Sequence, residues 1–319
     1  MTKIQSPRFW GVASGVGAGA MWGIVFLAPK FAPDASPLVL TVGRYLAYGL
    51  IALALIAPIW RKATKGLDFK AWRALVWLSL TGNIIYFAFL VVSVHFAGVA
   101  ASALIVGMVP IVVAVWGLRD KSSPPLSRVG PPILVAALAV VLIGRESLTS
   151  GQIGANGVTQ TLIGLGCALA ALISWSTFAI GNSRWMGRLT DVSAHEWSLL
   201  TGVVTGALSL LLIVPAALTS PALSSDSVIR IVMVSFGVAV IASIIGNAFW
   251  NQASRLLPLT MLGQMIVAET LFAFLYGFIW EQRGPSVIEL IAIALMVISV
   301  IWCVKAHRPS AKAVAELEA

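Results

Sequence analysis

Long runs of apolar residues, each about the length of a bilayer-crossing helix, leave this 319-residue chain few ways to fold. A helix of roughly 20 apolar residues spans the hydrocarbon core, because a chain in lipid must satisfy its backbone hydrogen bonds internally. Ten such runs can be read, at about 9–28, 38–60, 72–94, 99–118, 130–143, 160–183, 193–214, 228–251, 258–279 and 287–304. The shortest, 130–143 and 287–304, are each the fifth of their half. The chain is 59% apolar and 10% charged, against about 25% charged in soluble domains, which excludes an ordinary soluble fold. The first run is longer than the apolar region of a signal peptide and reads as a span.

Loop charge orients the spans. With the N-terminus in the cytoplasm, 16 of the 21 Lys and Arg fall in cytoplasmic segments, four fall opposite, and Arg44 lies inside a span. Cytoplasmic loops carry such an excess, so both termini are expected there. Ten of the 12 tryptophans lie near predicted span ends, where indole prefers the interface. Trp22 and Trp175 lie deeper. The net charge of +9 punctuates apolar segments instead of forming one basic surface, which argues against a nucleic-acid partner. Cys167 and Cys303 stand far apart in apolar runs, so neither a disulfide framework nor a metal site is expected, and no cofactor.

The two deep tryptophans open a series of internal matches. Met21-Trp22-Gly23 parallels Ser174-Trp175-Ser176, Asp34-Ala35-Ser36-Pro37 parallels Asp191-Val192-Ser193-Ala194, and Gly82-Asn83 parallels Gly246-Asn247. The order is kept, and five spans per half invert the second copy. The expected architecture is an all-α membrane protein, with ten transmembrane helices as two inverted five-helix repeats around a central cavity. The first repeat covers 9–143, a periplasmic linker 144–159, the second repeat 160–304 and a cytoplasmic tail 305–319. Inverted repeats recur in secondary transporters, where rocking about a midplane site gives alternating access.

Trp22-Gly23-x-x-Phe26 with Lys30, Ser36-Pro37 and Arg44 resembles the first half of the drug/metabolite transporter (DMT) superfamily, in its ten-span EamA-like branch. Gly98–Leu104 closed by Pro110-Ile111 is similar to the fourth span of that family, and Trp280-Glu281 to the end of its ninth. Phe249–Ala253 and Val106–Val109 resemble the YddG type of aromatic amino-acid exporter. Two departures stand out. Arg119-Asp120-Lys121 replaces a frequent Glu, and Glu269-Thr270 stands near a usual Pro. The resemblance implies a bacterial inner-membrane protein that exports a small-molecule substrate, an amino acid or similar metabolite with aromatic ones preferred. A proton is a further partner to consider, beside the lipid bilayer, and a monomer is expected.

Glu269 lies about ten residues from either end of its span, where an ionised carboxylate costs roughly 2.5–3.5 kcal/mol on insertion scales. It either binds a substrate ammonium or couples a proton to movement, or it holds helices together. Arg44 could grip a substrate carboxylate through its planar fork. It could also be structural, snorkelling or pairing with Glu269, Glu281 or a helix end, and its match to a family-wide arginine favours that role. Trp22 and Trp175 would face each other across the cavity, stacking on an aromatic or cationic solute or simply packing. Asn83 with Tyr86, and Asn247 with Trp250, share helix faces at i, i+3. They and Gln264 either line the cavity or bond helix to helix. His95, His195 and His307 read as structural.

Other function classes fare less well. Without a GxxxxGK[ST] motif, phosphate hydrolysis is no power source. Only Arg44 is available as an intramembrane cation, which disfavours nucleotide-linked cargo. A cationic drug or another small metabolite remains an alternative. An intramembrane enzyme would need a nucleophile and base or a metal set, and no HExxH, GxSxG or His/Asp cluster is present.

Overall fold

Short polar side chains set where the helices begin. Ser36 accepts from the Val39 amide at 3.3 Å and is followed by Pro37, Asp68 accepts from Ala71 at 2.8 Å, and Ser224 accepts from Ser227 at 3.2 Å. Two starts are reciprocal. Ser193 and Glu196 bond each other's backbone amides, as do Ser286 and Glu289. Each satisfies amides that a helix start leaves bare.

The computed structural model describes residues 7–117, 126–149, 153–186, 188–189, 192–220, 223–257 and 259–306. Every regular element among them is helical. They form ten rods, one per apolar run: α1 (7–31), α2 (37–64), α3 (69–97), α4 (99–117), α5 (126–149), α6 (158–186), α7 (194–219), α8 (225–256), α9 (259–280) and α10 (287–306). The protein is an all-α membrane protein. Six helical stretches are by themselves long and apolar enough to cross a bilayer, one of them running from α3 into α4, and 265–280 and 287–302 are shorter apolar helices.

The breaks have local causes. Gly98, at φ 83°, turns α3 into α4 without a loop, a conformation glycine adopts cheaply. Ser102 donates to the Gly98 carbonyl at 2.7 Å and lies 2.6 Å from Ser93 Oγ, which pins the turn. The segment 144–159, read as a linker, is helical on both flanks of its undescribed residues. α5 runs on to Thr149, and a turn beginning at Ile153 precedes Gly157 at φ 73°. α5 is therefore longer than its apolar run, because a helix carries polar residues such as Arg145 past the end of the apolar stretch. α3 and α8 each contain a π-helical turn, at 80–85 and 239–246.

Packing pairs one half with the other. α1 lies on α8 and α9, and α6 lies on α3 and α4. α2 crosses α7, α5 lies along α10, and α3 meets α7 as α8 meets α2. Exchanging the first five helices for the last five reproduces this pattern. Leu134, Leu211 and Met233 are among the exposed side chains of the outer face, which suits contact with lipid tails.

Candidate functional site

Glycine spacing on α1 places the central acid. Gly11, Gly15, Gly19 and Gly23 recur every fourth residue and form one stripe. A Cβ at Gly19 would stand 2.7 Å from the Glu269 amide nitrogen, and one at Gly23 2.9 Å from that of Ala273. The stripe lets the α1 backbone press directly on α9, the small-residue packing that membrane helices use. Glu269 is thereby fixed at the boundary between the halves, 8% exposed.

It faces about 240 Å³ of unfilled space walled by Phe26, Tyr86, Val106, Gly107, Trp175 and Thr270. No part of this space is wide enough for a water molecule, so the centre is narrow in this conformation. Two turns of local sequence shape the wall. α4 is interrupted at Gly107-Met108, and Pro110 has no N–H to return to the Val106 carbonyl. Gly107 leaves room for Thr270, whose Oγ1 would be 2.4 Å from a Cβ there.

Arg44 is likewise buried, 7% exposed. Its Nη2 donates to Ser243 Oγ in the π turn of α8 at 3.4 Å, while Nε and Nη1 are buried without a partner. The guanidinium carbon lies 4.4 Å from the Phe87 ring centroid and 5.1 Å from that of Tyr45, within cation–π range. Phe87, whose ring carries the Arg44 guanidinium, is the chain neighbour of Tyr86, and Tyr86 walls the same space as Glu269. Arg44 and Glu269 do not form an ion pair with each other, nor with any other described residue. A buried guanidinium and a buried carboxyl group thus each lack a direct counter-ion among the described residues.

Aromatic rings gather beside Glu269. Trp22 and Trp175 meet edge to face at 6.5 Å, Trp22 lies 5.2 Å from Trp250, and Tyr86 lies 6.5 Å from Trp175. Trp22 also donates its indole N–H to the Ala242 carbonyl at 3.0 Å, in the π turn of α8.

Of the expected site residues, the structure gathers Trp22, Tyr86, Trp175, Trp250 and Glu269 at the centre, with Arg44 adjoining. Asn83 instead donates to Thr205 Oγ1 on α7 at 3.1 Å, and Asn247 donates to Ser198 Oγ on the same helix at 3.4 Å. Both tie helices together. Asn83 and Tyr86 part company because the π turn at 80–85 is wider than an α turn and rotates the remainder of α3. The side chain of Gln264 lies outside the described residues. Sequence reasoning missed Ser243, Thr270 and Phe26. The Gly-x-x-x-Gly spacing of α1 marks the surface that α9 occupies. Glu281, one proposed partner of Arg44, is engaged elsewhere, accepting from Arg283 at 2.8 Å.

Ten helices packed around a buried acid and a buried arginine make a polytopic membrane protein. The chain belongs to the EamA-like transporter family of the DMT superfamily. Residues 9–119 match the family's model. The chain is also 30% identical over 319 residues to the inner membrane protein YtfF of Escherichia coli (strain K12), covering 96% of this chain and 99% of that protein. A solved crystal structure shares the fold at TM-score 0.62 and 18% identity, over 94% of this chain and 99% of its own.

Proposed function

We propose that the protein is a secondary transporter of a bacterial inner membrane that exports small organic solutes, amino acids first and aromatic ones preferred. It works by alternating access between two inverted five-helix halves, with both termini in the cytoplasm. The observation that carries this reading is Glu269, buried without an ion pair at an aromatic-walled space between the halves. A carboxylate so placed suits a solute ammonium, and the rings of Trp22, Trp175 and Tyr86 suit an apolar or aromatic side chain. The narrow centre holds no solute in this conformation, and the exchangeable packing of the halves is what rocking between two arrangements would use. Loop charge supports the orientation.

A cationic drug-like solute is the second reading, favoured by the same acid and rings, which attract cations without requiring a carboxylate. Uptake of labelled amino acids and of a cationic dye into proteoliposomes separates the two. Saturable uptake of phenylalanine or tryptophan is expected. Uptake of the dye alone would transfer the assignment to the second reading, and no uptake of any amino acid would overturn the first.

A further inference from the structure

Arg44 is the group that the packing leaves unexplained. A guanidinium is not deprotonated in proteins, so this side chain carries a full charge wherever it lies. Ser243 satisfies one nitrogen, and two others are buried without an acceptor. Phe87 and Tyr45 offer ring faces but no anion. A buried charge is retained where something pairs with it during the working cycle.

The described acids narrow what that partner is. Asp34 accepts from Ser227 at 2.9 Å, Glu196 completes the helix start at Ser193, and Glu281 and Glu289 hold Arg283. Glu269 makes no ion pair with Arg44 or with any other described residue, and it shares its space with Tyr86, the chain neighbour of Phe87. The space therefore has a carboxyl group and aromatic rings in its wall, and a guanidinium with two unpartnered nitrogens lies on the Phe87 ring outside that wall. A molecule that completes it carries an anion toward Arg44, a cation toward Glu269 and an apolar body beside Trp22 and Trp175.

We infer that Arg44 is a specificity-determining residue, reading the carboxylate of a zwitterionic solute whose ammonium is held at Glu269. The inference rests on the amino-acid reading above and sharpens it to free α-amino acids with both groups unblocked. Amines without a carboxylate and N-acylated acids are each missing one pole. In this conformation the guanidinium nitrogens are covered, so the carboxylate reaches them when the halves part.

Ligand-induced thermal stabilisation of the detergent-purified protein tests this without a transport step. The probes are phenylalanine, phenethylamine, which lacks the carboxylate, and N-acetylphenylalanine, which lacks the ammonium. Wild type is expected to bind phenylalanine best. Arg44→Gln should weaken phenylalanine by about 10-fold to 100-fold, the range for one charge-assisted contact, and leave phenethylamine unchanged. Arg44→Lys should recover part of the preference. Glu269→Gln should do the reverse, weakening phenethylamine while sparing N-acetylphenylalanine. Equal weakening of phenylalanine and phenethylamine in Arg44→Gln and Arg44→Lys would show a purely structural arginine. An unchanged preference in both variants would also overturn the inference while leaving the amino-acid reading intact. Wild type that binds none of the three overturns the two together.

Discussion

Gly49 and Gly206 meet where α2 crosses α7, so closely that a Cβ on either would stand 2.6 Å from the other's Cα. Gly202, one turn away, is equally tight against Tyr48 and Ala52. The crossing packs α2 backbone against α7 backbone.

Gly206→Ala should therefore destabilise the protein, because the obstruction is backbone that no rotamer change can move. Overpacking of this kind costs about 1–3 kcal/mol, read as a lower unfolding temperature in detergent. Gly237 in α8 has nothing within 4 Å of its Cβ position. Gly237→Ala should hold or raise the unfolding temperature, since alanine gains up to about 1 kcal/mol over glycine inside a helix. Equal effects at the two sites would contradict the packing described for α2 and α7.

Trp22 combines a hydrogen bond to Ala242 with ring contacts to Trp175 and Trp250. Trp22→Phe keeps a ring and loses the donor, which should cost about 1 kcal/mol. Trp22→Ala removes both and should cost about 3–5 kcal/mol if its neighbours do not collapse into the space. Thermal unfolding of the two variants checks the order, and a larger loss for Trp22→Phe would place the side chain elsewhere.

Ser36 Oγ and Ser220 Oγ lie 2.9 Å apart and link the start of α2 to the end of α7. Asp34 binds Ser227 beside them, again across the halves. In a background with Cys167 and Cys303 replaced, Ser36→Cys with Ser220→Cys should form a disulfide on mild oxidation. Solute flux should then fall to background and return with reductant. Full flux in the oxidised protein would mean that this end of the molecule does not open during transport.

Arg283 joins the α9–α10 connection through paired bonds of 2.7 Å to Glu289 and one of 2.8 Å to Glu281. The hydrogen bond to Glu289, reinforced by Glu281, holds the Arg283 guanidinium above its usual pKa. Removing one partner of a buried pair costs about 3–5 kcal/mol. Arg283 is a third exposed and Glu289 keeps its bond from the Ser286 amide, so Arg283→Met should cost on the order of 2 kcal/mol. An unfolding temperature unchanged by Arg283→Met would reduce the cluster to an ordinary surface pair.

Much of the fold is legible in the sequence because lipid tolerates so few solutions. Apolar runs interrupted by Gly98, Pro37 or the Ser193-Glu196 start mark the helices directly. Glu269 announces itself as an acid in an apolar run, and Trp22 and Trp175 as tryptophans far from an interface. The departures come from geometry that spacing does not encode. A π turn at 80–85 sends Asn83 to Thr205 while Tyr86 reaches the centre, where α-helical spacing puts both on one face. Arg44 meets Ser243 from 199 positions away, a contact set by how the halves dock. Thr270 enters the wall only because Gly107, on another helix, leaves it room.

An amino-acid-like solute is proposed to cross the membrane by way of Glu269 and Arg44. Countertransport measures this passage, with proteoliposomes loaded with unlabelled phenylalanine and diluted into trace labelled phenylalanine. Transient accumulation of label is expected in wild type, saturable by internal solute and lost in Glu269→Gln and Arg44→Gln proteins that remain folded. Wild-type vesicles that gain label no faster than protein-free ones, or variants that accumulate it as wild type does, would contradict it.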